Sequence, residues 1–258
     1  MIAYKSDAEV KKLREAGRLV ATALHAVREA AGPGVTLAEL DAIAEGIITD
    51  AGATPAFKGY LPHFSATPFP GTICASVNDA IVHGIPHDTV LAEGDLLSID
   101  CGAHLEGWTG DAAFSMIIGG DDTGSPEDRK LIETTREALR VGIEAARPGS
   151  RMGDIASAIE EVVRGGGYGM PQGWGGHGIG REMHEDPSVP NGGLPAGKGM
   201  KLRAGLVICI EPMLHAGGDD HVIDPDGWTV RTADGSQAAH EEHMVAITAD
   251  GPQVLSHR

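Results

Sequence analysis

Apolar residues recur at helical spacing from the start of the chain. Val10, Leu13, Leu19, Val20, Leu24 and Val27 share one face of a helix running to about residue 31. Ser6-Asp7-Ala8-Glu9 reads as its capping box, and Gly32-Pro33-Gly34 stops it. Thr36-Leu37-Ala38-Glu39 caps a second helix, with Leu37, Leu40, Ile43, Ala44, Ile47 and Ile48 on its apolar side. The arrangement then returns. Glu29-Ala30-Ala31-Gly32-Pro33-Gly34 is echoed 115 positions later by Glu144-Ala145-Ala146-Arg147-Pro148-Gly149. In that register Leu37 meets Met152, Leu40 meets Ile155, and Ile47-Ile48 meets Val162-Val163. Ser125-Pro126 opens the third helix, with proline at its favoured first position. The repeat predicts two related halves, roughly 1–120 and 121–258, each a helix pair followed by strands. Short apolar runs place those strands at 72–77, 81–83, 96–101 and 112–118, then at 206–211, 228–232 and 243–248. The glycine-rich stretch 165–180 reads as ordered turns.

At 258 residues the chain suits one domain built from two modest halves. Its 41% hydrophobic and 22% charged content is that of a soluble globular protein. A formal charge of −17 argues against a nucleic-acid surface. The three cysteines (Cys74, Cys101, Cys209) are odd in number and widely spaced, which fits a reducing cytoplasm without disulfides. No apolar stretch approaches the length of a membrane span, and the first residues resemble no signal peptide. No apolar helix face is left over, so a monomer is expected.

Within this frame a few residues carry chemistry. Asp100 and Asp111 flank a turn, and a hairpin centred on Leu105-Glu106 sets them directly opposite each other, where like charges repel. Glu211 ends the apolar run Leu206-Val207-Ile208-Cys209-Ile210, where it needs a basic partner or a metal ion. A carboxylate at Glu241 or Glu242 opens the last strand, and local pattern does not choose between them. His177 sits among glycines, as a metal ligand or as a hydrogen-bonded loop histidine. Carboxylates gathered in apolar surroundings call for neutralisation, and a pair of divalent cations provides it together with hydrolytic power. Two such ions would bring the formal charge from −17 to −13. An oxygen-rich set with one imidazole favours Mn, Fe or Co, with Zn also compatible. Gly173-Trp174-Gly175-Gly176-His177-Gly178 matches a dinucleotide fingerprint literally, yet no long helix follows it.

These residues make the chain resemble the type I methionine aminopeptidases in their short bacterial form. The resemblance covers nearly the whole chain, through Ser76-Val77-Asn78, His83-Gly84-Ile85-Pro86, Ile99-Asp100-Cys101-Gly102 and Gly110-Asp111. It continues through Gly176-His177-Gly178-Ile179-Gly180-Arg181, His184-Glu185, Glu211-Pro212, Trp228-Thr229-Val230 and Glu242-His243. It implies the α/β (α+β) pita-bread fold, in which two pseudo-two-fold halves each pack a helix pair on a largely antiparallel curved sheet. It implies two divalent ions held by Asp100, Asp111, His177, Glu211 and Glu242, thereby choosing Glu242 over Glu241. His83 and His184 fall on the family's catalytic, substrate-contacting histidines, with Glu211 also the proton acceptor. Cys74 and Trp228 fall on the pocket for the methionine side chain. Met183 stands there where an aromatic residue is common, Glu241 where one often precedes the last ligand. The segment 61–71, with Phe64, Phe69 and three prolines, reads as longer than the usual loop beside the pocket. The implied substrates are nascent polypeptides beginning with Met and a small residue, with the ribosome as a partner. The 34 positions from His177 to Glu211 leave no room for the type II insertion, and no N-terminal domain of the prolidase kind precedes the first helix. The competing reading is a peptide-binding module of the same fold that has lost ligands; here all five positions are filled.

Overall fold

The computed structural model describes residues 2–62 and 65–257. Helices α1 (Asp7–Ala30) and α2 (Leu37–Asp50) come first. Strands β1 (Thr54–Pro55), β2 (Ile73–Val77), β3 (Ala80–Val82), β4 (Leu96–Leu105) and β5 (Trp108–Ile117) follow. A second pair, α3 (Pro126–Ala145) and α4 (Met152–Gly165), precedes β6 (Gly175–Gly178), β7 (Glu185–Pro190), β8 (Val207–Ile210), β9 (Met213–His215) and β10 (His221–Ile223). Strands β11 (Val230–Thr232), β12 (Ala238–His240), β13 (Glu242–Thr248) and β14 (Gly251–Val254) complete the order.

The helices begin where their caps dictate. Ser6 Oγ accepts from the Glu9 N–H at 3.4 Å while the Glu9 carboxylate accepts from the Ser6 N–H at 2.8 Å. Thr36 and Glu39 repeat the exchange at 3.2 and 2.8 Å. Each such cap contributes about 1 kcal/mol. Ser125 caps α3 through the Asp128 N–H at 3.0 Å.

Nine strands form one sheet along the path β1-β4-β5-β13-β8-β6-β7, with β2 also on β4 and β14 on β13. The first helix pair buries Val20, Val27, Leu40 and Ile48 against Leu97, Ile99 and Phe114. The second buries Leu131, Leu139, Ile155 and Ile159 against Ile208, Ile210 and Val245. The two sets of strands join at β5–β13 through Ala113↔Glu242 and Ala112↔His243. Because strand side chains alternate between faces, the helices occupy one face and leave the other for a third cluster, which includes Phe69, Cys74, Met183, Cys209, Trp228 and Met244.

One expectation is corrected. Asp100 pairs with Ala113 and Asp111 with Gly102, so the hairpin register lies two residues from the direct Asp100–Asp111 opposition. Its turn is Glu106-Gly107, at φ 50° and 77°. A two-residue turn between twisted strands needs positive φ at both central positions, and glycine accepts that at no steric cost. The two aspartates still share a face, now on a diagonal. Strand β6 also replaces part of what reads as glycine turns.

Candidate metal centre

The β4–β5, β5–β13 and β13–β8 ladders place the acidic residues in one row across the sheet. Cys74 lies opposite Asp100, Asp100 opposite Ala113, and Ala113 opposite Glu242. The β8–β13 register, His243↔Ile210, and the β9–β12 register, His240↔Met213, continue each other, so Glu211 falls beside Glu242. Pro212, which lacks an N–H, interrupts that ladder. Asp111 stands two residues from Ala113 on the same face, opposite Gly102. Ala113 separates Asp100 from Glu242, and Gly102 faces Asp111, so small residues leave space between these carboxylates, while Glu211 and Glu242 stand side by side. Glycine is required beside it, since a Cβ at Gly176 would lie 2.1 Å from the Cys209 carbonyl oxygen. That close approach brings β6 alongside β8 and sets His177 over the row.

His177 Nε2 lies 3.6 Å from Asp111 Oδ2 and 3.6 Å from Glu211 Oε1. Asp111, His177 and Glu242 are each at least nine-tenths buried. Asp100 Oδ1, Asp111 Oδ1 and Glu242 Oε1 are buried without a hydrogen-bond partner. Burial, then the neighbouring carboxylates, push Asp100, Glu211 and Glu242 well above the ordinary range. Burial raises Asp111 to about 8. His177 is lowered by burial to about 4, leaving a neutral imidazole with a lone pair for a metal. Orphaned buried carboxylate oxygens and a neutral imidazole converging from four strands fit divalent cations. Glu241, the rival of Glu242, points away and accepts from Arg136 Nε at 2.9 Å.

Cys74, His83, Asp100, Asp111, His177, Met183, His184, Glu211, Trp228 and Glu242 all line one cavity of about 320 Å³. His83 holds φ 60°, in the left-handed region that histidine enters more readily than most residues. Its ring meets Trp174 edge-on at 5.1 Å and Trp228 at 6.0 Å. Burial, then His184, lower His83 to about 4. His184 lies at the exposed rim, its ring 4.2 Å from His177 and 5.3 Å from Tyr60. On the apolar side Phe69 packs at 4.9 Å on Trp228, whose Nε1–H donates to the Thr67 carbonyl at 2.9 Å. Segment 61–71 thus supplies part of the wall; Phe64 lies outside the described residues. Met183, 3% exposed, fills the space beside Gly102 and Phe57.

The sequence reading missed Phe57, Tyr60, Trp174 and Met213 in the wall, and Cys209 and His240 beside the acids. Cys209 Sγ is 4.0 Å from Asp111 Oδ2. Burial, then Glu242 and Asp111, push its thiol up and keep it protonated. Parity was the available signal: Cys209 and Glu211, like His240 and Glu242, are two apart and share a face.

The chain matches metallopeptidase family M24 over residues 11–249. It is similar to methionine aminopeptidase 1 of Mycobacterium tuberculosis (strain CDC 1551 / Oshkosh), at 49% identity covering 99% of this chain and 95% of that protein. With the methionine aminopeptidase of Aquifex aeolicus (strain VF5) it shares 48% identity, over 97% of each. The crystal structure of methionine aminopeptidase from Thermotoga maritima superposes with a TM-score of 0.94, at 39% identity over 100% of both chains. The prolidase from Pyrococcus horikoshii OT3 shares the fold at a TM-score of 0.78 and 24% identity, this chain covering 98% of itself and 63% of that one.

Proposed function

Because the chain belongs to metallopeptidase family M24 and, within it, to the methionine aminopeptidases, we propose that the acidic row is its catalytic centre. The enzyme is a metallo-exopeptidase of the pita-bread fold that removes N-terminal methionine. Asp100, Asp111, His177, Glu211 and Glu242 would hold two divalent ions, Co, Mn or Fe, with Zn compatible with the same donors. The carrying observation is the set of buried carboxylate oxygens left without partners.

Such ions supply charge neutralisation, polarisation of the scissile carbonyl and activation of water. The residues do the rest. The apolar wall of Phe69, Cys74, Met183 and Trp228 receives the methionine side chain, whose flexible thioether adapts to an irregular pocket. Asp100, nearest Cys74 in the row, faces the substrate's free amine. Glu211 accepts the proton of the attacking water. His184, at the rim, donates a hydrogen bond to the carbonyl oxygen as negative charge develops there. His83, held by two tryptophan edges, faces the departing amide nitrogen as a neutral hydrogen-bonding partner, and the proton taken up by Glu211 passes to that nitrogen.

Residues 1–258 act as one catalytic domain, taking nascent chains that begin with Met and a small residue. Action on such chains fits a cytoplasmic monomer working near the ribosome. No described helix is long and apolar enough to cross a membrane. The test compares Met-Ala-Ser with Xaa-Pro peptides before and after chelation, then with Mn, Fe or Co restored. Met-Ala-Ser cleavage that vanishes on chelation and returns with metal is expected. Preference for Xaa-Pro, or indifference to the chelator, would overturn the reading.

A further inference from the structure

We propose that His240 is a sixth donor of the metal centre, giving a second imidazole nitrogen to the ion held by Glu211 and Glu242. The inference rests on the metallopeptidase reading above, whose five donors do not include this residue.

Position comes first. Strand β12 ends at His240, and its register against β9 runs on into the Glu242–Glu211 neighbourhood, so residues 240 and 242 present their side chains to the same space. The backbone there is clamped. The His240 N–H donates to Ser115 Oγ at 2.9 Å, and that hydroxyl donates to the His240 carbonyl at 2.8 Å. The ring is therefore delivered to one place.

Burial and spacing give the place its meaning. His240 is 2% exposed, and its Nε2 is buried with no hydrogen-bond partner. A buried imidazole nitrogen left this way is costly unless something occupies the space in front of it. What lies in front is Glu211 Oε2 at 3.7 Å, too far for a hydrogen bond. The other oxygen, Oε1, stands 3.6 Å from His177 Nε2, so each oxygen of Glu211 faces its own imidazole at nearly the same separation. Donors that each sit at about 2.0–2.2 Å from a shared ion are held apart by comparable distances. The donor atoms of Glu211, His240 and Glu242 all lie within 4.8 Å of one another, as do those of Asp111, His177, Cys209 and Glu242. Glu242 is common to both groups, and Glu211 faces both imidazoles, so the two rings address one cluster of acids. A second nitrogen donor shifts preference toward ions that imidazole suits, such as Fe and Zn.

Pulsed electron paramagnetic resonance on the Mn2+-loaded full chain counts coupled imidazole nitrogens directly, independent of turnover. Two inequivalent imidazoles are expected in the unaltered protein and one in His240→Gln. His240→Asn serves as a second variant, with folding of each checked by circular dichroism. A single imidazole in the unaltered protein, lost in His177→Ala and untouched in His240→Gln, overturns the sixth donor and leaves the metal centre standing. No imidazole coupling at all would remove the centre itself, and this inference with it.

Discussion

Chelated protein should lose stability as the pH rises from 7 to 8. Burial and like charge hold Asp100, Glu211 and Glu242 well above the ordinary carboxylate range, and burial alone holds Asp111 near 8. Unfolded, the same groups titrate near about 4. Between those values the metal-free fold keeps protons that the unfolded chain has released, so stability must fall with rising pH. The slope is about 1.4 kcal/mol per pH unit for each proton kept. The histidines act oppositely. His83 and His177 are lowered to about 4 and His240 to about 3, which adds stability as the pH climbs toward the unfolded value. Above pH 7 those rings are largely neutral in both states, so this window isolates the carboxyls. Two protons kept would cost about 3 kcal/mol across one unit, a large share of a typical 5–15 kcal/mol. Urea unfolding followed by the fluorescence of Trp108, Trp174 and Trp228 in chelator, at half-unit steps, measures it. With Mn2+ restored the ions take the place of the protons and the slope should vanish or reverse. A chelated protein whose stability is flat or rising over this window would refute the reasoning.

Asp111→Ala and Glu242→Ala should each abolish methionine release. Far-ultraviolet circular dichroism should stay unchanged, because removing a buried unpaired acid relieves the metal-free fold; retained turnover in both would contradict the donor assignment. For His184→Ala, turnover should fall about 100-fold or more with metal content intact by elemental analysis. Metal loss in that variant would move the residue among the donors. Ala113→Val puts two methyl groups into the middle of the acidic row. It should cost about 1–3 kcal/mol from overpacking and lower metal content, and full metal loading at unchanged affinity would argue against the row.

The helices were the most legible part of the chain. Their caps are local chemistry, Ser6 with Glu9 and Thr36 with Glu39, and the first three helices begin beside the residues that announce them, while the fourth was placed by the repeat alone. The strands 73–77 and 207–210 were legible as apolar runs. Strands β9, β10 and β12 have three residues each, too few to show a period. Strand β6 hid in glycine because its reason lies elsewhere, in the Cys209 backbone it must approach. The hairpin register turned on which two residues take positive φ, and centring it one residue early shifted every pair by two. At the site, composition and spacing pointed to the acids and His177, while the resemblance supplied the roles of His83, His184, Cys74, Trp228 and Met183. Tyr60 and Trp174 went unread because they reach the cavity from connecting segments with no period of their own, and His240 because β9–β12 pairing sets it beside the acids.

The narrow β5–β13 junction has a mechanical consequence. Asp100 and Asp111 arrive from strands that follow the first helix pair, and His177, Glu211 and Glu242 from strands that follow the second. The sheet is continuous between them through two residue pairs. Ions seated across that seam act as rivets through a thin weld. At about 100 times their dissociation constant they would add about 2.7 kcal/mol to the closed form. A chain severed between Ile118 and Ser125 would leave Asp100 and Asp111 on one fragment and His177, Glu211 and Glu242 on the other. Neither piece could work alone, and the concentration of free metal would decide how firmly the fragments rejoin.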